Sequence, residues 1–241
     1  MNVCHLKKII FLLLFTNVLF AQSFTEKQIN NLLQEVSDPT KGDKSKSINA
    51  NLKLIVKSQE IKYDKGYFLG NIQASKFYIS LGMYEKAFER LNSIEGKLFE
   101  TKEFSLQSEF YLSKGLFFQR IGYQKEAIDN FQKAITFSNE IKENAEKRLI
   151  RARAYNALGK MQSELLPQVT KDVALCYYKK SLFELKGLDH RQAKLIVATI
   201  NDDLGNFWLR EKQLDSATAY LQNSQNRIIQ QNDIFTEVKS L

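Results

Sequence analysis

Residues 110–134 read FYLSKGLFFQRIGYQKEAIDNFQKA, and this stretch decides the fold. Gly115 sits inside an apolar helical run. Gly122 stands where that run stops, Ala127 opens the next one, and Phe131 follows four residues later. The same order recurs on both sides. Ser75, Gly115, Gly159 and Gly205 each lie within a helical stretch; Ala87, Ala127, Ala174 and Ala217 follow; Leu91, Phe131, Tyr178 and Leu221 come four residues after each alanine. The alanines are 40, 47 and 43 residues apart, and self-similarity at such a period signals stacked helical repeats. A helix pair cannot bury its apolar faces alone, and stacking pairs side by side creates one continuous core. Glycine within a helix costs about 1 kcal/mol relative to alanine. Three of them at matching places therefore read as a packing requirement, letting two helices approach closely.

The rest of the composition agrees. Among 241 residues only Pro39 and Pro167 are prolines, and no run of Val, Thr and aromatic residues alternates at period two. That favours an all-α chain. With 44% hydrophobic and 12% aromatic residues it can bury a core, which argues against disorder. The apolar periodicity predicts helices over about 25–36 and 48–61, the second with Ile48, Leu52, Ile55 and Val56 on one face. A polar loop is expected at 40–45 and a break at Gly66. Four hairpins follow: 67–81 with 84–98, 104–121 with 124–141, 146–165 with 172–185, and 191–210 with 214–230. Another helical pattern begins at Ile234.

Residues 1–21 form a separate object. Lys7 and Lys8 precede an apolar run over 9–20, and Ala21 then meets polar Gln22. The run is short of the roughly 20 residues a membrane span needs, so it reads as a cleaved signal peptide and predicts an exported, periplasmic or secreted protein. Cleavage removes Cys4 and His5 and leaves Cys176 and His190 as the sole residues of their kinds. No intramolecular disulfide is then possible, and Cys176 is expected as a small buried core residue. The formal charge of +8 becomes +6 without Lys7 and Lys8, since no acid lies in 1–21. Export argues against nucleic acid as the partner.

Catalytic constellations are absent from the pattern. One histidine excludes a multi-histidine metal site, so no metal or cofactor is expected. No GxxxxGKS or GxGxxG loop occurs. Asp202 and Asp203 are adjacent carboxylates, which point about 100° apart on a helix and make a poor acid–base dyad. Lys147, Arg148, Arg151 and Arg153 cluster at the start of a helix with Glu143 and Glu146 nearby, which reads as a salt-bridged solvated face.

These segments resemble the tetratricopeptide repeat. Tyr111, Gly115, Phe118, Gly122, Ala127, Phe131 and Ala134 fall on its pattern positions 4, 8, 11, 15, 20, 24 and 27. Tyr78, Gly82, Tyr84, Ala87 and Leu91 fit the first repeat; Tyr155, Leu158, Gly159, Ala174, Tyr178 and Ser181 the third; Leu204, Gly205, Trp208, Ala217, Leu221 and Ser224 the fourth. The departures are spacings longer than the 34 residues of the standard repeat and the absence of its terminal proline. Longer helices of this kind resemble repeats of bacterial peptide-sensing regulators and exported sensor ectodomains.

The resemblance implies an α-solenoid of antiparallel hairpins wound as a right-handed superhelix. Its division would be a signal peptide at 1–21, a degenerate hairpin at 22–66, four repeats at 67–231, and the start of a further helix at 232–241. It implies a non-enzymatic scaffold that binds a protein or peptide along a concave face built from the first helix of each pair. The positions facing that groove would be Ile72, Lys76 and Ile79 in the first repeat and Glu109, Leu112, Leu116, Gln119 and Arg120 in the second. The third would give Arg153, Asn156, Lys160, Ser163 and Glu164, and the fourth Thr199, Asp202, Asn206, Leu209 and Arg210. The alternative it implies is a sensory ectodomain of a longer histidine kinase or helix-turn-helix regulator.

Overall fold

The computed structural model describes residues 28, 29, 31, 44–164, 171–189 and 191–239. Expectations for residues 1–21, the loop at 40–43, Pro167 and His190 lie outside them. Among the described residues the chain is all-α, with no strand. Nine helices follow one another: α1 (Lys44–Glu60), α2 (Asp64–Ser80), α3 (Tyr84–Phe99), α4 (Phe104–Arg120), α5 (Gln124–Ser138), α6 (Asn144–Glu164), α7 (Lys171–Leu185), α8 (Arg191–Arg210) and α9 (Leu214–Lys239). Residues 28, 29 and 31 are helical as well. The chain divides into two compact units, one up to Thr101 with α1–α3, the other from Lys102 with α4–α9. The division falls between the first and second expected hairpins.

One turn is used four times. At Lys62, Gly82, Gly122 and Lys212 the backbone enters the left-handed region, with φ of 56°, 72°, 86° and 58°. In each, the next N–H donates back five residues: Tyr63 to Ser58, Met83 to Tyr78, Tyr123 to Phe118 and Gln213 to Trp208, over 2.7–3.0 Å. The left-handed residue's own N–H donates three residues back, to Gln59, Ile79, Gln119 and Leu209 respectively. This pair of bonds is the Schellman motif, which satisfies carbonyls left open at a helix end. The residue after it starts the next helix: the N–H groups of Tyr67, Ala87, Ala127 and Ala217 donate to the carbonyls of Tyr63, Met83, Tyr123 and Gln213.

The same motif corrects the expected break at Gly66. Gly66 lies inside α2, and the turn is at Lys62. Gly66 is small because Ser58 and Tyr63 press against it. Lys44 and Ser45, expected in a loop, belong to α1. The buried face of α1 carries Asn51, Leu54, Ile55 and Ser58, while Val56 is half exposed. Val56 follows Ile55 by about 100° of helix rotation, which turns it off the packed stripe. The helix expected to restart at Ile234 is instead a continuous part of α9. No glycine or proline stands between Gln230 and Lys239 to stop it.

In the second unit each small residue meets its large partner across a hairpin. A Cβ on Gly115 would lie 2.6 Å from the Phe131 ring, one on Gly159 3.0 Å from Tyr178, and one on Gly205 2.6 Å from Leu221. Serines close two of the hairpins further along: Ser181 donates to the Ala152 carbonyl at 2.6 Å and Ser224 to that of Ala198 at 2.9 Å. The core passes from each hairpin to the next helix. Leu112, Phe131 and Ala134 pack with Ala154, Leu158 and Met161 of α6. Leu149, Ala152, Ala174 and Tyr178 pack with Ile200, Leu204 and Phe207 of α8. In the first unit Leu54, Phe68, Ile72, Ile79, Leu91, Ile94 and Leu98 are buried.

Candidate functional site

The first helices of the hairpins in the second unit, α4, α6 and α8, are joined directly to one another by side chains. Arg153 of α6 makes an ion pair with Glu109 of α4, with a second hydrogen bond at 3.3 Å. Asn156 of α6 donates to Asp203 Oδ2 of α8 at 2.7 Å, and Lys160 Nζ lies 3.2 Å from Asp203 Oδ1. Arg210 of α8 donates to Ser163 Oγ at 2.8 Å, and Ser163 donates to the Lys160 carbonyl at 2.7 Å. Glu109 and Arg153 are 44 residues apart, and Asn156–Asp203 and Ser163–Arg210 are both 47 apart. Ser105 of α4 also donates to Glu146 of α6, so along both helix pairs the partner numbers rise together and the three helices run side by side in the same direction.

Of the expected groove residues, Arg153, Asn156, Lys160 and Arg210 come together in these rungs. Asp202 and Asn206 are exposed on α8 and bond to each other, with Asn206 Nδ2 donating to the Asp202 carbonyl at 3.0 Å. Arg120 is exposed in the last turn of α4. Leu112 is not on the accessible face: it is 2% exposed and belongs to the core with Phe131 and Leu158. Leu116 is half-buried against that same core. In the first unit Ile72 and Ile79 are likewise core residues, and Lys76 is half-buried on α2. These leucines and isoleucines are inward because the apolar stripe of each first helix faces its own hairpin partner.

Asp203, read from the sequence only as half of a poor acid–base pair, is the member of that pair that joins the rungs. It is 8% exposed while Asp202 is exposed, so the 100° between them separates a buried acceptor from a wetted one. The signal was its 47-residue offset from Asn156. No family of proteins and no curated protein matches the chain. The assignment of this face therefore rests on its residues alone.

The basic cluster that opens α6 is absorbed by structure. Lys147 donates to the Asn139 carbonyl, Arg148 to the Glu184 and Lys186 carbonyls at the end of α7, and Arg151 lies 3.0 Å from the Glu184 carboxylate. Guanidinium groups suit the open carbonyls and negative dipole end of α7. Glu143 is a helix cap, accepting from the N–H groups of Ala145 and Glu146 at 2.9 and 2.6 Å. Cys176, expected buried, is exposed. Two residues along a helix from buried Ala174 is a rotation of about 200°, which turns the thiol outward.

Below the face, Tyr178 is buried against Gly159 and edge-on to Phe207. Burial raises its phenol above the ordinary tyrosine value, with the Ser163 hydroxyl nearby acting in the opposite sense. The Tyr178 hydroxyl has no hydrogen bond of ordinary geometry. Among the described residues no group of three or more His, Cys, Asp or Glu side chains could hold a metal ion. None of their helices is long and apolar enough to cross a membrane.

Proposed function

We propose that the chain is a non-enzymatic, tetratricopeptide-like scaffold, an α-solenoid that binds an extended segment of a partner protein or peptide across α4, α6 and α8. The observation that supports this reading is the side-by-side alignment of those helices through equivalent side chains. Helix axes at 8–10 Å spacing make a face about 20 Å across, the length of about six extended residues. Arg120, Asp202, Asn206 and Arg210 offer exposed polar groups on it. They carry both charge signs, and their side-chain amide and guanidinium groups suit a peptide backbone and its polar side chains. Export of the scaffold goes with the signal-like residues at 1–21, and no cofactor is part of the proposal.

The test is selection of peptides from an unbiased display library on the full chain, followed by titration of the selected peptides. The triple variant Arg120→Glu, Asp202→Lys, Arg210→Glu changes exposed side chains and keeps the apolar core. The expected result is binding by wild type weakened tenfold or more in the variant. Peptides that bind both proteins equally would overturn the placement of the groove.

A further inference from the structure

The outer face of α7 carries a second surface. Phe183 is 74% exposed, more than any other large hydrophobic among the described residues. It forms a crest between two grooves. One, of about 690 Å3, includes Tyr155, Leu175 and Cys176; the other, of about 510 Å3, includes Leu182, Leu188 and Val197. Lys179 and Phe183 line both.

The charge around the crest is one-sided. The two grooves together are lined by Arg151, Lys179, Lys180, Lys186 and Lys194, against Asp172 and Glu184. Glu184 is paired with Arg151, and Lys194 with Asp189 at 2.7 Å. Lys179, Lys180 and Lys186 are exposed and pair with no carboxylate among the described residues. Lys180 is further held in place, its Nζ 5.5 Å from the Tyr177 ring centre and 5.8 Å from that of Tyr155. These tyrosines stack on each other, so the cation has a fixed seat at the groove edge.

We propose that this face docks an acidic amphipathic helix of a partner protein, with Phe183 as its apolar anchor and Lys179, Lys180 and Lys186 as its complementary rim. Apolar grooves on both sides of a ridge are what a second helix packs against. A partner helix satisfies its own backbone, so side-chain packing and charge alone can hold it against a helical face. An aromatic anchor surrounded by a charged rim is the usual make-up of an energetic interface centre. The face lies on the far side of α7 from Ala174, Tyr178 and Ser181, which pack inward, so it is separate from the rungs of α4, α6 and α8.

The probe is a display library of helical peptides with apolar residues varied at i, i+4 and i+7 and every other position drawn from Glu, Lys and Ala. Selection on the full chain is expected to enrich Glu-rich sequences. Phe183→Ala is expected to weaken their binding tenfold or more, and Lys179→Glu with Lys186→Glu to weaken it further and reduce its salt dependence. Leu214→Ala, at an exposed apolar residue that lines neither groove, is expected to leave it unchanged. Enrichment of Lys-rich sequences, no enrichment, or binding indifferent to Phe183→Ala would each overturn the proposal. So would Phe183-dependent binding to anionic phospholipid vesicles without peptide binding, or Phe183-dependent dimerisation of the chain, since each assigns the face a different occupant.

Discussion

At the scale of single residues, two glycines in helices have opposite meanings. Gly115 has the Phe131 ring where its Cβ would be, and Gly96 of α3 has nothing within 4 Å. Replacing either with alanine gains helix propensity worth about 1 kcal/mol. At Gly96 that gain stands alone, so Gly96→Ala should raise unfolding free energy by up to about 1 kcal/mol. At Gly115 the ring must move, and overpacking of about 1–3 kcal/mol outweighs the gain. Gly115→Ala should therefore be less stable, and urea midpoints of the two variants should shift in opposite directions. Tyr178 gives a second residue-level test. Its buried hydroxyl lacks a bond, so Tyr178→Phe should be neutral or stabilising by about 1 kcal/mol at neutral pH. Burial raises its folded pKa above the ordinary value of 10.0, so the unfolded chain loses this proton first. Its contribution is intact below pH 10.0 and falls as pH rises beyond it. Thermal unfolding between pH 9 and 11 should decline less steeply in Tyr178→Phe than in wild type; equal slopes would show that the phenol is not the group responsible.

Between residues and the whole chain stand the turns, and here the sequence was most legible. Gly82 and Gly122 announce left-handed positions by identity, and the apolar runs on either side place α2 to α5 within a few residues. Lys62 and Lys212 adopt the same conformation without glycine, which is why the first turn was misplaced at Gly66. A side chain in the left-handed region costs about 1–2 kcal/mol. A Cβ added at Gly122 would meet nothing within 4 Å, so Gly122→Ala should lose about 1 kcal/mol through conformation alone. Lys212→Gly should hold stability or gain up to about 1 kcal/mol, relief of strain being partly offset by a freer unfolded chain. Chemical denaturation of both variants checks the pair; a destabilised Lys212→Gly would mean that the lysine side chain contributes a contact of its own. The candidate face was less legible than the turns. Repeat positions found Arg153, Asn156, Lys160 and Arg210. They also took Leu112, Ile72 and Ile79 outward, because a position in a pattern does not say which stripe a tight hairpin buries. The role of Asp203 escaped because it depends on a helix partner 47 residues away.

Across the whole molecule the two compact units set the terms, and within the second one the core has a direction. Leu158 of α6 packs with Phe131 and Ala134 of α5, while Ala152, six residues earlier and on another stripe of the same helix, packs with Tyr178 and Ile200. Helix α6 therefore belongs to two clusters at once. In a chain of nearest-neighbour contacts, stability is a sum of local terms and interfaces, and a defect spreads only as far as its interfaces couple. Leu158→Ala leaves a cavity at the α5 side, with an expected loss of about 2–4 kcal/mol. Amide exchange measured by mass spectrometry should then accelerate most in α4, α5 and α6, less in α7, and least in α8 and the first half of α9. Equal acceleration from α4 through α9 would mean that the unit unfolds as one cooperative block. It would also mean that the polar rungs from α4 to α8 bind the helices more tightly than the core contacts alone imply. The graded pattern would instead mean that α8 and the first half of α9 keep their structure while the α4–α6 end opens.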